Sequence, residues 1–278
     1  MDVCNVKPGK RQAAVAISES GELYRGAFIN SQSSLLDTTA PMSALYNASQ
    51  HQDYPIEKIV VMSEAGAASP LAPVTSQFII DYARRSGRPD ISLEIRDEKN
   101  DVVHEIEDAR VLSPFYAPLA EAVTLDYVRN AASQPPQIVR NKQRYGDKIS
   151  LLRAAAKTGS DRAFVRYDDA TRYGSAVETP GAIYYGGQYS SYDGRTNIHA
   201  EMGAAILARL DGETIITAIG IASRKFAEVP AQMCGCCRQF MHEVTDNDPA
   251  VHMFGWDEGV HESMQLSEYL PKTWSSKV

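Results

Sequence analysis

Four side chains in the second half of the sequence are of types that hold metals or move protons: His199, Glu201, Cys234 and Cys237. His199 and Glu201 head the stretch NIHAEMGAAILARL (197–210), whose Ala, Ile and Leu spacing predicts an amphipathic helix. The cysteines lie in AQMCGCCRQFMHEV (231–244), which crowds three of the chain's four cysteines into four positions. Cys234 and Cys237 form a C-x-x-C pair predicted to open a helix running through Phe240 and Val244. Thiolates at a helix N-terminus are favoured by the partial positive charge there. Such a pair can be a redox couple, half of a structural zinc site, or a chance cluster. A thioredoxin-like couple would stand near the first βαβ unit of the chain and leave His199 without a task. A structural zinc site wants a fourth protein ligand, and the sequence has no second pair. One His with two Cys leaves a tetrahedral zinc ion one open position, as catalytic sites do. Water bound there is acidified to near neutrality. Glu201, two residues past the His, is better placed to move that water's proton than to ligate the same ion. His51, His104, His242, His252 and His261 read as ordinary core or surface residues.

The rest of the chain must position these groups. Its 278 residues are enough for one large core or two of ordinary size, and 44% hydrophobic with 23% charged residues is a globular composition. No apolar run reaches the length of a membrane span. MDVCNVKPGKRQ at the N-terminus lacks the apolar stretch of a signal peptide, which predicts a cytoplasmic protein. Clustered cysteines in a reducing compartment point to a metal or to chemistry rather than to a disulfide framework. A net charge of −7 without a Lys/Arg block weighs against a nucleic-acid partner.

A faint internal repeat gives the organisation. GELYRGAFINS (21–31) parallels GAIYYGGQYSS (181–191), and TAPMSALYNA (39–48) lines up with HAEMGAAILA (199–208). Strand-like runs follow in both halves, IEKIVVMS and TIITAIGIAS, then helices carrying Gln-Phe, VTSQFIIDYA and CCRQFMHEVT. Each half ends in a Leu/Pro/aromatic cluster, VLSPFYAP and EYLPKTW, and the Pro-rich NAASQPPQIVRNKQ between them reads as a linker. Where the second half has His199, Glu201, Cys234 and Cys237, the first has Thr39, Pro41, Ala72 and Thr75. Only one half carries the reactive set.

H-x-E followed by C-x-x-C resembles the zinc deaminases. Within that superfamily the chain resembles the cytidine deaminases of the long, two-domain form, through HAE at 199–201, CGCCRQFMHEV at 234–244, SEYLPKTW at 267–274 and the degenerate first half. In long members the intact domain comes first; here the order is reversed. The resemblance implies a duplicated three-layer α/β/α sandwich with mixed sheets. It divides into a zinc-less domain at 1–132, a linker at 133–147 and a catalytic domain at 148–278. It further implies one Zn2+ per chain on His199, Cys234 and Cys237, with Glu201 as the proton shuttle. Water activated at the ion would attack C4 of a cytosine ring while Glu201 protonates the neighbouring ring nitrogen and then the leaving amine. Cys236 has no part in this scheme and reads as a packed small residue or a spare thiol. Short members are tetramers that complete each site with neighbours, so a duplicated chain is expected to be a homodimer.

The departures from the family pattern lie on the substrate side. An Asn-x-Glu that binds the ribose hydroxyl is replaced by Gln188 and Ser190. A Phe-x-Val-Gly-Ala-Ala stretch becomes TRYGSAV, offering Thr171 or Tyr173, and the Pro before the first zinc Cys is Met233. A hydrogen bond to a charged group contributes roughly 1.5–3 kcal/mol, so loss of that carboxylate bears on which substrate is bound. The expected substrate contacts are Gln188, Ser190, Tyr173, Tyr189 and Ala200. Tyr184, Tyr185 and Tyr192 are either further pocket walls or ordinary strand composition. The expected partner is a small molecule, with no nucleic acid and no membrane. Cytidine or deoxycytidine is the first expectation, and a modified cytosine nucleoside or another amino-heterocycle the second. An editing deaminase on nucleic acid and a non-catalytic binding protein are the rival classes.

Overall fold

The computed structural model describes residues 11–31, 36–64, 71–112, 148–165, 171–191 and 194–270. The expected linker at 133–147, together with Cys4, Tyr192 and the Pro-aromatic ends of both halves, lies outside them.

Two five-stranded sheets of one topology follow each other along the chain. The first half runs β1 (Gln12–Ser18), β2 (Leu23–Ala27), α1 (Ala40–Gln50), β3 (Ile56–Ser63), α2 (Pro73–Arg85), β4 (Ser92–Arg96) and β5 (Val102–Ile106). The second runs α3 (Lys148–Asp161), β6 (Tyr173–Glu178), β7 (Ile183–Gly187), α4 (Ala200–Leu210), β8 (Ala218–Ser223), α5 (Gly235–Val244), β9 (Ala250–Phe254), β10 (His261–Gln265) and the short α6 (Leu266–Tyr269). Strand order is β2-β1-β3-β4-β5 in one sheet and β7-β6-β8-β9-β10 in the other. In each, a single parallel pair, β3 with β4 and β8 with β9, is bridged by a crossover helix, and all other pairs are antiparallel. The duplication read from sequence is therefore a duplication of topology, and both sheets are mixed.

The halves differ in how their sheets are covered. α3 packs on β6, β7 and β8 on the face opposite α4, and every residue of β7 and β8 is buried. That half is a three-layer α/β/α unit. β1 and β3 alternate buried and half-buried positions, the pattern of strands packed on one face. Among the described residues no helix stands on the other face of that sheet. One core cluster nonetheless runs through both halves, from Leu45, Tyr46 and Phe78 to Phe164, Tyr189 and Phe240. Among the described residues no helix is long and apolar enough to cross a membrane.

The helix starts follow from residue chemistry. Pro41 and Pro73 stand in the first turns of α1 and α2, where a missing N–H loses nothing. Glu201 stands in the first turn of α4, where a carboxylate meets the positive end of the dipole.

Candidate metal centre

His199 is the N-cap of α4 and Cys234 the N-cap of α5, both with extended backbone (ψ 157° and 163°), and neither spends its side chain on capping. Cys237 follows three residues after Cys234, one turn into α5, and so faces the same way. The two helix starts meet. His199 Nδ1 lies 3.3 Å from Cys234 Sγ and 3.2 Å from Cys237 Sγ, and all three ligand atoms fall within 4.8 Å of one another. Metal–nitrogen and metal–sulfur bonds of about 2.1 and 2.3 Å put the ligand atoms of one ion roughly 3–4 Å apart. The set therefore fits a zinc ion in size and in donor type. It grades from buried Cys237 through half-buried His199 to exposed Cys234, so its open side faces outward. Among the described residues these three form the only such group of His, Cys, Asp and Glu, and Glu201 is not part of it.

Glu201 is buried, 3% exposed, and its carboxyl is hydrogen-bonded by its own backbone N–H and by the Cys237 thiol. Burial pushes that carboxyl up, against the pull of its own amide and of His199. The hydrogen bond from Cys237, with help from His199, brings the Cys234 thiol down to about 3, while burial drives the Cys237 thiol up. The Cys234 contact raises His199.

The loop into α5 is tied from behind. Arg238 donates from Nε to the Met233 carbonyl (2.9 Å) and stacks its guanidinium 3.7 Å from the centre of the Tyr269 ring. The Tyr269 hydroxyl accepts from the Met233 N–H at 3.1 Å. Met233, where the family pattern has Pro, is buried and held by these contacts. Tyr269 belongs to the SEYLPKTW motif, and this contact gives the described part of that motif a structural task.

The structure sorts the expected substrate residues. Tyr173, half-buried, is brought to the group: burial raises its hydroxyl, and the charges of Glu201 and Cys234 add to the rise. Ala200 is buried at the head of α4 between His199 and Glu201. Gln188 and Ser190 follow the end of β7 and bond each other, Gln188 Nε2 donating to Ser190 Oγ at 2.7 Å. Tyr189 corrects the expectation of a pocket wall. It has no exposed surface, its ring stacks on Phe78 at 4.6 Å and Phe164 at 5.3 Å, and its hydroxyl donates to Asp81 at 3.1 Å. Sequence placed it on a strand edge, where alternation between ligand-facing and core-facing positions is one residue from inversion. Tyr184 and Tyr185 do line a cavity of about 480 Å3, but it lies between β2–α1 and β7–α4, walled also by Tyr24, His51 and Leu210, and none of the three ligand residues borders it. Cys236 is exposed, which removes the packed reading and leaves the spare thiol. Phe226 was missed by sequence reasoning. It lies in the loop after β8, and its ring is 6.0 Å from that of Tyr173; nothing in the periodicity of SRKFAE marks it. His252 and His261 pair across β9 and β10 at 3.0 Å.

Among solved structures, the chain is similar in fold to three cytidine deaminases. That of Burkholderia pseudomallei shares 23% identity at a TM-score of 0.41, the match covering 45% of this chain and 98% of that one. Those of Mycobacterium tuberculosis (19%, TM-score 0.40, 46% and 98%) and Mycobacterium leprae (16%, TM-score 0.39, 45% and 99%) follow. At such identities the likeness is one of fold. No protein-family model and no curated protein matches the chain.

Proposed function

We propose that the chain is a zinc-dependent hydrolytic deaminase acting on the amino group of a cytosine-type ring, cytidine or deoxycytidine first, with release of ammonia. The observation that carries this reading is the convergence of His199, Cys234 and Cys237 at two helix N-termini with the Glu201 carboxyl buried against them. Zinc, when held by these three side chains, supplies Lewis acidity that brings a coordinated water near neutral pKa. Glu201 does the proton work. A carboxyl raised by burial takes a proton from the water, holds it, and delivers it to the ring nitrogen and then to the departing amine. Water's oxygen replaces the amino nitrogen on the ring carbon: a C–O bond forms, the C–N bond breaks, and ammonia leaves. Tyr173, near enough to Glu201 and Cys234 to feel their charges, and Phe226 beside it would offer ring surfaces to a heterocycle. In this reading residues 148–278 are the catalytic domain, 1–132 carry no metal, and two chains associate as a homodimer.

One observation favours a second substrate. Gln188 and Ser190 bond each other and present a neutral pair where a carboxylate would bind a ribose hydroxyl. A modified cytosine nucleoside or another amino-heterocycle suits that neutral pair better than unmodified ribose does.

The test is ammonia release from cytidine, deoxycytidine, cytosine, modified cytosine nucleosides and aminopurines, with zinc content measured on the same samples. Glu201→Gln keeps the ligands and the side-chain size but cannot take a proton. Turnover should fall by at least about 10²–10⁴-fold with zinc retained. A zinc-replete Glu201→Gln protein with near-normal turnover refutes the mechanism.

A further inference from the structure

Residues 187–190 end β7 and lead toward the helix that carries His199 and Glu201, and they are held from the other half of the molecule. Gly186 and Gly187 precede Gln188 and pair with Ser175 and Gly174 of β6. β7 is an edge strand, paired only with β6, so its outer side has no ladder of its own.

Backbone bonds to Phe164, Tyr173 and Ile198 of the same half hold residues 188–190, and four side chains of the first half add bonds to the segment. Gln50 Oε1 accepts from the Gly187 N–H at 2.7 Å, and the Tyr46 hydroxyl donates to the Gly187 carbonyl at 2.8 Å. Asp81 accepts from the Tyr189 hydroxyl. Arg85, 3% exposed, pairs with Asp81 at 3.4 Å, donates to the Ser190 carbonyl and, at 3.0 Å, to the Val165 carbonyl, and stacks 3.9 Å over the Phe164 ring. Tyr46 also sits against the first turn of α4. A Cβ on Gly203 would lie 1.8 Å from the Tyr46 hydroxyl, and one on Gly186 2.4 Å from it, so both glycines are needed for this approach.

The clamp residues differ in type from their counterparts. By the alignment of the halves, the second half has Ile206, Leu210, Glu243 and Asn247 where the first has Tyr46, Gln50, Asp81 and Arg85. Ile206 and Leu210 have no hydrogen-bonding group to return. In that direction Glu243 accepts from Ser31 Oγ at 2.5 Å, and Arg162 Nη1 donates to the Gln50 carbonyl at 2.9 Å.

We propose that the metal-less half is the positioning element of the site: Tyr46, Gln50, Asp81 and Arg85 fix residues 187–190 and thereby set how tightly the substrate is held. This rests on the deaminase reading for its substrate and on the inter-half contacts for its geometry, and the two are separable. Tyr46→Phe removes one hydroxyl and Gln50→Leu installs the residue of the matching position; Asp81→Asn loosens Arg85 without emptying the core. Arg25→Ala is the control, since its exposed pair with Asp211 also joins the halves but touches none of residues 187–190.

Amide exchange over 186–191, zinc content, KM and kcat are measured on each, with whichever of cytidine, deoxycytidine, modified cytosine nucleosides and aminopurines releases ammonia fastest. The three clamp variants should exchange about threefold to tenfold faster in that segment, the size of one lost neutral hydrogen bond. KM should rise by a similar factor with kcat within about twofold and zinc unchanged, while Arg25→Ala moves nothing. Unchanged exchange overturns the clamp. Faster exchange with unchanged KM overturns its part in binding. A wild-type protein that releases no ammonia from any of these compounds sinks the deaminase reading instead, and the clamp is then decided by exchange alone.

Discussion

The two halves place different residues on nearly the same backbone. α1 begins after Thr39 (φ −73°, ψ 159°) and α4 after His199 (φ −69°, ψ 157°). α2 begins after Ala72 and α5 after Cys234, again both extended. In the second half the residues at these starts bring a nitrogen and two sulfurs together; in the first, Thr75 Oγ1 donates to Thr39 Oγ1 at 2.9 Å in the same place. In the threonine pair a buried hydroxyl donates to a buried hydroxyl. With the imidazole neutral and the thiols ionised, the His/Cys/Cys set offers a cation three ligand atoms within 4.8 Å of one another. Neither Thr39 nor His199 caps its helix with its side chain, so both halves give up a cap to look inward. The comparison teaches that the fold supplies the meeting point of two helix N-termini, and that residue type alone decides whether a metal can be held there.

The largest effect on this comparison comes from removing a ligand. Cys237→Ala or Cys234→Ala should take zinc from one ion per chain to none and abolish turnover, because two remaining ligands do not hold the ion at neutral pH. Cys236→Ala, at an exposed position, should leave both unchanged within about 0.5 kcal/mol of stability. Elemental analysis of the wild type giving two zinc ions per chain would break the contrast between the halves.

The converse experiment installs the ligands in the first half. Thr39→His with Ala72→Cys and Thr75→Cys should raise zinc from one to two per chain, since the helix starts are already in place. Turnover should not double. The first half has Phe28, Ile29 and Asn30 where the second has Gln188, Tyr189 and Ser190, and Pro41 where it has Glu201, so a second ion would lack a proton shuttle. A triple variant that still binds one zinc would mean that the backbone likeness of the two sites does not extend to side-chain direction.

Much of this could be read from the sequence because it is written in local patterns. H-x-E and C-x-x-C mark their own helix starts, and the alignment of TAPMSALYNA with HAEMGAAILA located the empty counterpart to the residue. The strand read in TIITAIGIAS begins at Ala218, four residues into that stretch: Ile215 is exposed, and Thr217 Oγ1 donates to the Glu178 carbonyl at the end of β6. What was not legible is what arises between distant segments. Tyr189 looks like a strand-edge aromatic until Phe78 and Phe164 close over it. Tyr184 and Tyr185 belong to a groove that needs β2 to exist. Phe226 reaches Tyr173 across some fifty positions of sequence. Nor does any pattern in VTSQFIIDYARR announce that Arg85 will be buried in the other half.

The smallest expected effect separates a pair that is satisfied from a site that is not. Thr75→Val keeps shape and volume but removes the hydroxyl that donates to Thr39, leaving a buried oxygen without its donor. That should destabilise the protein by about 1–3 kcal/mol, read as a lower denaturant midpoint at unchanged slope. Thr39→Val alone strands the other hydroxyl and should cost about as much, with little added for the cap, since Thr39 makes no side-chain capping bond. The double variant removes both partners together and replaces them with apolar groups of like shape, which can be nearly neutral. The two changes should therefore be strongly non-additive, with a coupling of about 1 kcal/mol or more in a double-mutant cycle. Zinc content and turnover should stay as in the wild type throughout, because neither residue reaches the second half's ligands. Additive losses would mean that the two threonines do not pair in solution, and a loss of zinc would mean that the first-half site is coupled to the second in a way that the contrast between them leaves out.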